Sequence, residues 1–195
     1  MHPSIKNPVE HSPSELVNKN ATSHPSTRRR VRRSQNKLRI VMQEQCRIAR
    51  VQGTRAFAIT LTYADNSHFA HDQISTFINY FRKKLRSMGY KFQYVWTLEK
   101  ATAVHYHMTM WLPRGFRLTH KDLESRWPWG STWIAACKSV RAWVRYISKR
   151  EDKDNLPTGA RMFSHGGLDH EGEEAVRRAE FPHWLKSKLP ADAVP

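Results

Sequence analysis

Two histidines separated by one residue, His105 and His107, are the side chains in this sequence most suited to bind a metal ion. They lie in the segment from Val104 to Trp111, whose β-branched and aromatic residues predict a β-strand. Because side chains on a strand alternate between its faces, both imidazoles are expected on the same face. Two such imidazoles can share one metal ion, although the same pair also fits a plain polar strand face.

A carboxylate, Glu99, ends the preceding predicted strand, which begins at Phe92. The connection between the two strands, residues 100–103, is short enough to imply a hairpin of adjacent antiparallel strands. This hairpin would bring Glu99 close to His105 and His107. One carboxylate and two imidazoles on one sheet face form a ligand set that holds a divalent cation and leaves positions open for substrate oxygens.

A tyrosine on a later helix, Tyr146, is the candidate nucleophile. Residues 139–150 predict a helix whose apolar arc consists of Val140, Trp143, Val144 and Ile147. Tyr146 lies on the flank of this arc, so a helix packed over the metal face could aim its phenol at the metal. A neutral phenol is a weak nucleophile, and the positive charge of Lys149 would favour the phenolate. The alternative is an ordinary tyrosine at the boundary of an amphipathic helix.

The elements that must position these residues follow from periodicity and turn signals. The predicted order is strand 55–63, helix 72–89, strand 92–99, strand 104–111, short helix 119–127, strand 131–137, helix 139–150, edge strand 160–164 and a charged covering helix. Large apolar side chains share one parity of the strands, whereas threonines and the candidate metal ligands share the other. This order predicts an α+β fold with a ferredoxin-like core, an antiparallel sheet with helices packed on it.

The chain is strongly basic, with a formal net charge of +16 over 195 residues, which favours nucleic acid as a partner. Residues 1–35 are rich in Pro, Ser, Asn and His and are predicted to be disordered; residues 36–188 form the domain, beginning with a basic amphipathic helix over 36–51, and residues 189–195 are frayed. The predicted DNA contacts are Arg28, Arg29, Arg30, Arg32, Arg33, Thr60, Thr62 and Lys83. A solvated tail and a solvated helix face are the alternatives for the charged residues.

Several other classes of protein are disfavoured. No apolar run approaches the length of a membrane span, and the first residues lack the apolar core of a signal peptide. Cys46 and Cys137 are isolated in the sequence, which indicates reduced thiols and a cytoplasmic location. The sequence has no P-loop motif, so we expect no nucleotide-driven motor in this chain.

Together these residues resemble the HUH endonucleases, and more narrowly the rolling-circle replication initiators of small plasmids and filamentous-type phages. The resemblance covers about residues 55–168 and rests on several motifs in family order. These are the first strand 57–63, the pair His105 and His107 around Tyr106, the run Tyr146 to Lys149, and the later segment 156–163. The positions one turn either side of Tyr146 are Ala142 and Arg150, so the chain resembles the single-tyrosine members.

The resemblance implies a specific reaction. Glu99, His105 and His107 would hold Mg²⁺ or Mn²⁺, and Tyr146 would attack a phosphate of single-stranded DNA or of an origin hairpin. The products would be a covalent 5′-phosphotyrosine and a free 3′-hydroxyl, while Lys149 would help to position the phosphate or the phenolate. A host helicase and polymerase in a bacterial cytoplasm would complete replication.

Two other functions remain open from the sequence. A single-strand transposase or plasmid relaxase of the same superfamily would share the chemistry. A non-catalytic nucleic-acid-binding module on a ferredoxin-like sheet would instead stack bases on exposed aromatic side chains.

Overall fold

A computed structural model describes residues 25–148, 156–186 and 188. Its strands are β1 (Thr54–Tyr63), β2 (Gln93–Lys100), β3 (Val104–Pro113), β4 (Gly130–Ala136) and β5 (Phe163–Gly166). Its helices are α1 (Pro25–Gln52), α2 (Gln73–Ser87), α3 (His120–Glu124), α4 (Val140–Ile147), α5 (His170–Glu180) and α6 (His183–Lys186). None of the helices in these ranges is both long enough and apolar enough to cross a membrane.

The strands form one antiparallel sheet in the order β4-β1-β3-β2-β5. The α+β fold with an antiparallel sheet and packed helices is therefore confirmed, as is the hairpin of β2 and β3. The predicted edge strand also forms, although it begins at Phe163 rather than at residue 160. Gly130 permits the first contact of β4 with β1, because a Cβ at this position would lie 2.0 Å from the backbone oxygen of Thr62.

One face of the sheet packs against α2 and forms the main core. The predicted apolar parity faces this layer, with Ile59, Trp96 and Met108 buried against helix residues such as Phe77 and Phe81. The helix ends as expected at Gly89, which adopts a φ of 80°, a conformation that glycine reaches without strain.

The opposite face is covered by α1, α4 and α5. Val95 and Trp111 of the sheet form a second apolar cluster with Met42 of α1, Ile147 of α4 and Val176 of α5. α5 packs along α1. This second layer leaves the end of the sheet near the β2–β3 hairpin for polar side chains.

The first helix corrects the predicted N-terminal boundary. α1 begins at Pro25, so the expectation of disorder is wrong for residues 25–35, whereas residues 1–24 and 189–195 lie outside the described ranges. Tertiary contacts account for the difference: Val31 is buried, and the side-chain amide of Gln35 donates a hydrogen bond of 2.6 Å to the backbone oxygen of Ser148. Tertiary packing stabilises helices whose own composition predicts little order.

Candidate metal centre

Three ligand-type side chains meet on the sheet face that carries α4. In the β2–β3 hairpin, Glu99 pairs in register with His105, and Thr97 pairs with His107. On the other side of β3, Thr60 of β1 pairs with His107. Because paired residues point to the same face, this register brings the carboxylate and both imidazoles together.

The distances within this cluster suit one shared cation. Oε2 of Glu99 lies 3.7 Å from Nε2 of His105 and 3.5 Å from Nε2 of His107, and the three ligand atoms lie within 4.8 Å of one another. Two atoms bound to one Mg²⁺ at about 2.1 Å can be at most about 4.2 Å apart, so both Glu99–histidine distances already fit. The exposed fraction is only 3% for Glu99 and 4% for His107, whereas His105 is half-buried.

Hydrogen bonds orient both imidazoles with Nε2 towards the carboxylate. Nδ1 of His105 lies 2.9 Å from the backbone oxygen of Ala103; a carbonyl can only accept, so this nitrogen carries the proton. Nδ1 of His107 lies 3.0 Å from the hydroxyl of Thr60. When Nδ1 donates in this way, the lone pair of Nε2 is left for a metal, as is usual for metal-binding histidines.

The tyrosine of α4 lies beside this cluster. Ser139 caps the helix by accepting a hydrogen bond from the backbone nitrogen of Ala142, and Ile147 anchors the helix in the second apolar cluster. The ring centroid of Tyr146 is 5.1 Å from that of His107, and 46% of the tyrosine is exposed. Tyr146 therefore lies on the face of the sheet that carries the ligand cluster and is accessible to a large substrate.

The comparison with protein families decides the family of this chain. The model of the replication-associated protein family of the ORF2 type matches residues 56–155, about half of the 195 residues. The chain belongs to this family. Membership supports a role in the initiation of replication, and the matched range contains Glu99, His105, His107 and Tyr146. Comparisons with curated proteins and with solved structures gave no match.

The other predicted site residues of this replication-associated protein are distributed over the molecule. Lys149 lies outside the described residues, and so do the side chains of Arg28 and Arg30. The exposed side chains among the predicted DNA contacts are Arg29, Arg32 and Arg33 on α1 and Lys83 on α2. Since α2 covers the opposite face of the sheet, Lys83 does not join the cluster around Glu99. Thr60 and Thr62 pair with His107 and His105, so both lie on the metal face.

The sequence did not identify three contacts of the site. Thr60 was assigned to DNA binding, whereas its hydroxyl contacts His107. Trp143 was assigned only to the apolar arc of its helix, yet its ring centroid lies 5.4 Å from that of His107 and 5.3 Å from that of Tyr146. Trp133 had no assignment; its parity within β4 could have placed it on the metal face once β4 was paired with β1.

Proposed function

We propose that this protein nicks and rejoins single-stranded DNA at a replication origin through a covalent 5′-phosphotyrosine at Tyr146. The observation that carries the proposal is the position of the Tyr146 ring against His107, one ligand of a buried Glu-His-His cluster. A nucleophile beside a set of metal ligands is the arrangement that metal-assisted phosphoryl transfer requires. Family membership supports the biological setting, the start of replication.

Glu99, His105 and His107 would hold the divalent cation. When bound, the cation supplies Lewis-acid polarisation of a phosphate oxygen and charge neutralisation during transfer. The donor set fits because both Nδ1 atoms have partners, which leaves both Nε2 atoms for the cation. Two imidazole ligands favour a transition-metal ion, so within this proposal Mn²⁺ binds more tightly than Mg²⁺.

Tyr146 would carry the covalent step. Its phenolic oxygen forms a bond to the phosphorus while the bond from phosphorus to the 3′-oxygen breaks. The phenolic proton is lost, the departing 3′-oxygen takes up a proton, and the strand ends as a 5′-phosphotyrosine and a 3′-hydroxyl. One phosphodiester replaces another, so attack by a 3′-hydroxyl reverses the step and joins two ends. We assign Lys149 to the positioning of the phosphate or the phenolate.

The basic side chains would hold the DNA. The exposed arginines Arg29, Arg32 and Arg33 are proposed to contact phosphates of the single strand or of an origin hairpin. Strand separation and extension of the 3′-hydroxyl would fall to a host helicase and polymerase. With one candidate tyrosine on α4, a second strand transfer would require either another protomer or reuse of the same site.

The deciding experiment is incubation of the protein with end-labelled single-stranded origin DNA and Mn²⁺, followed by denaturing electrophoresis. We expect an adduct that survives denaturation in the wild-type protein and in Tyr90→Phe, a half-exposed tyrosine that follows α2 and lies apart from the cluster. Tyr146→Phe and the addition of EDTA should each abolish the adduct. His107→Ala should also abolish it, while its circular dichroism spectrum stays that of the folded domain.

The same experiment separates an enzyme from a non-catalytic DNA-binding module. A module of that kind would retain its DNA affinity and form no adduct under any condition. An adduct formed equally by Tyr146→Phe would refute the assignment of the nucleophile, and an adduct formed in EDTA would refute the role of the cation.

A further inference from the structure

A row of aromatic rings leads from the metal centre to the edge of the sheet. The rings of Tyr146 and Trp143 are stacked, with centroids 5.3 Å apart and an interplanar angle of 23°. Trp133 continues the row, with its centroid 6.3 Å from that of Trp143 and an angle of 31°. His107 closes the inner end, because its ring contacts those of Trp143 and Tyr146. The mechanism proposed above uses only one of these rings, that of Tyr146.

The outer end of the row is open to solvent. Trp133 is 47% exposed and belongs to β4, an edge strand of the described sheet. Its register partner is Thr60, which itself pairs with His107, so the three side chains share one face. A large aromatic side chain that is half exposed next to a candidate active site indicates a contact surface for a ligand.

Charge and chemistry favour nucleic-acid bases as the ligand. Every base has a π-face, and single strands bind proteins by stacking successive bases on aromatic rings while cationic groups attract the phosphates. The net charge is +16, and α4 carries two exposed arginines, Arg141 and Arg145, on the flank away from Tyr146. An apolar protein segment or a neutral ligand would gain nothing from this charge.

We propose that the exposed face of Trp133 stacks an unpaired base of the single-stranded DNA, which holds a neighbouring phosphate at Tyr146. Trp143 fills the space between the two and keeps the phenol ring parallel to this surface. The platform rests on the proposed function only for the identity of that phosphate. Base stacking itself needs neither a metal ion nor a cleavage step.

The test compares two polyanions of equal charge in EDTA, where no cleavage interferes. Fluorescence anisotropy measures the affinity for labelled oligothymidylate and for an oligomer of the same length built from abasic sites. We expect Trp133→Ala to weaken binding of oligothymidylate by about tenfold and to leave binding of the abasic oligomer unchanged. Trp133→Phe, which keeps an aromatic ring, should retain most of the affinity. Trp184→Ala removes another exposed tryptophan, 62% exposed on α6, and should have no effect.

The outcomes keep this inference separate from the proposed function. Equal losses of affinity for both oligomers, or no loss in Trp133→Ala, would overturn the platform even if Tyr146 forms its adduct. A selective loss for oligothymidylate would support the platform even if no adduct forms. Thermal unfolding of each variant shows whether the protein remains folded, and rescue by Trp133→Phe distinguishes a stacking role from a general packing role.

Discussion

The hydrogen bond between Thr60 and His107 gives the sharpest test of the metal centre. Substitution of Thr60 by valine replaces the hydroxyl with a methyl group of nearly the same volume, so the packing of β1 changes little. The Nδ1 atom of His107, now 3.0 Å from the hydroxyl, loses its partner, and the side chain is too buried for water to replace it. The imidazole is then free to rotate or to take the tautomer that carries its proton on Nε2.

The expected effect is a weaker metal site in a folded protein. Loss of a hydrogen bond that orients a metal-binding histidine raises the Kd of the metal by about 10- to 100-fold. This corresponds to about 1.4 to 2.8 kcal/mol of binding free energy. Isothermal titration of Mn²⁺ into the protein without DNA measures the Kd directly, and Thr60→Ser, which keeps the hydroxyl, should bind nearly as the wild type does.

The matched control is Thr109→Val, on the same face of β3 two residues beyond His107. The hydroxyl of Thr109 is buried and has no hydrogen-bond partner within the described part of the chain, so its loss should leave the Kd unchanged. Wild-type affinity in Thr60→Val would refute the orienting role of Thr60. Equal weakening in Thr109→Val would show that the effect comes from packing rather than from the hydrogen bond.

Three further predictions concern stability and DNA binding. Burial lowers the pKa of His165, so the folded protein holds this imidazole neutral while the unfolded chain takes up a proton near pH 6.5. Its stabilising contribution is therefore complete above that pH and is lost as the pH falls through the lower folded value; urea unfolding of His165→Asn between about pH 5 and 8 should show a shallower acid loss than the wild type. Gly130→Ala should lower the free energy of unfolding by at least about 1–3 kcal/mol, because the added Cβ meets backbone, whereas Gly115→Ala, with open space around it, should be nearly neutral in the same melts. Replacing the three exposed arginines of α1 by glutamine should reduce the slope of log affinity against log salt by about 2, measured on single-stranded DNA, and an unchanged slope would contradict the proposed contacts. These arginines are Arg29, Arg32 and Arg33.

The structure changes how this last experiment must be designed. The sequence suggested deletion of residues 1–35, on the view that they form a disordered arm. α1 begins at Pro25, and Gln35 holds the end of α4 through Ser148. Deletion would therefore remove the start of a packed helix beside Tyr146, whereas point substitutions of exposed arginines alter the charge alone.

The sequence by itself determined the ligand set. Alternation along a strand is a property of the local backbone, and the connection between β2 and β3 is too short for any arrangement but a hairpin. These two facts were sufficient to predict that Glu99, His105 and His107 share a face. The helical spacing around Tyr146 likewise predicted a side chain at the margin of an apolar arc, and the tyrosine is indeed half exposed.

Only the tertiary structure decided which distant segments meet at that face. The position of β1 between β3 and β4 places Thr60 against His107, and the path of α4 over the sheet places Trp143 between Trp133 and Tyr146. The same packing orders the start of α1, which its own composition did not predict. The physical reason is that alternation and helical spacing are fixed by neighbouring residues, whereas strand order and helix docking depend on burial of surface contributed by the whole chain.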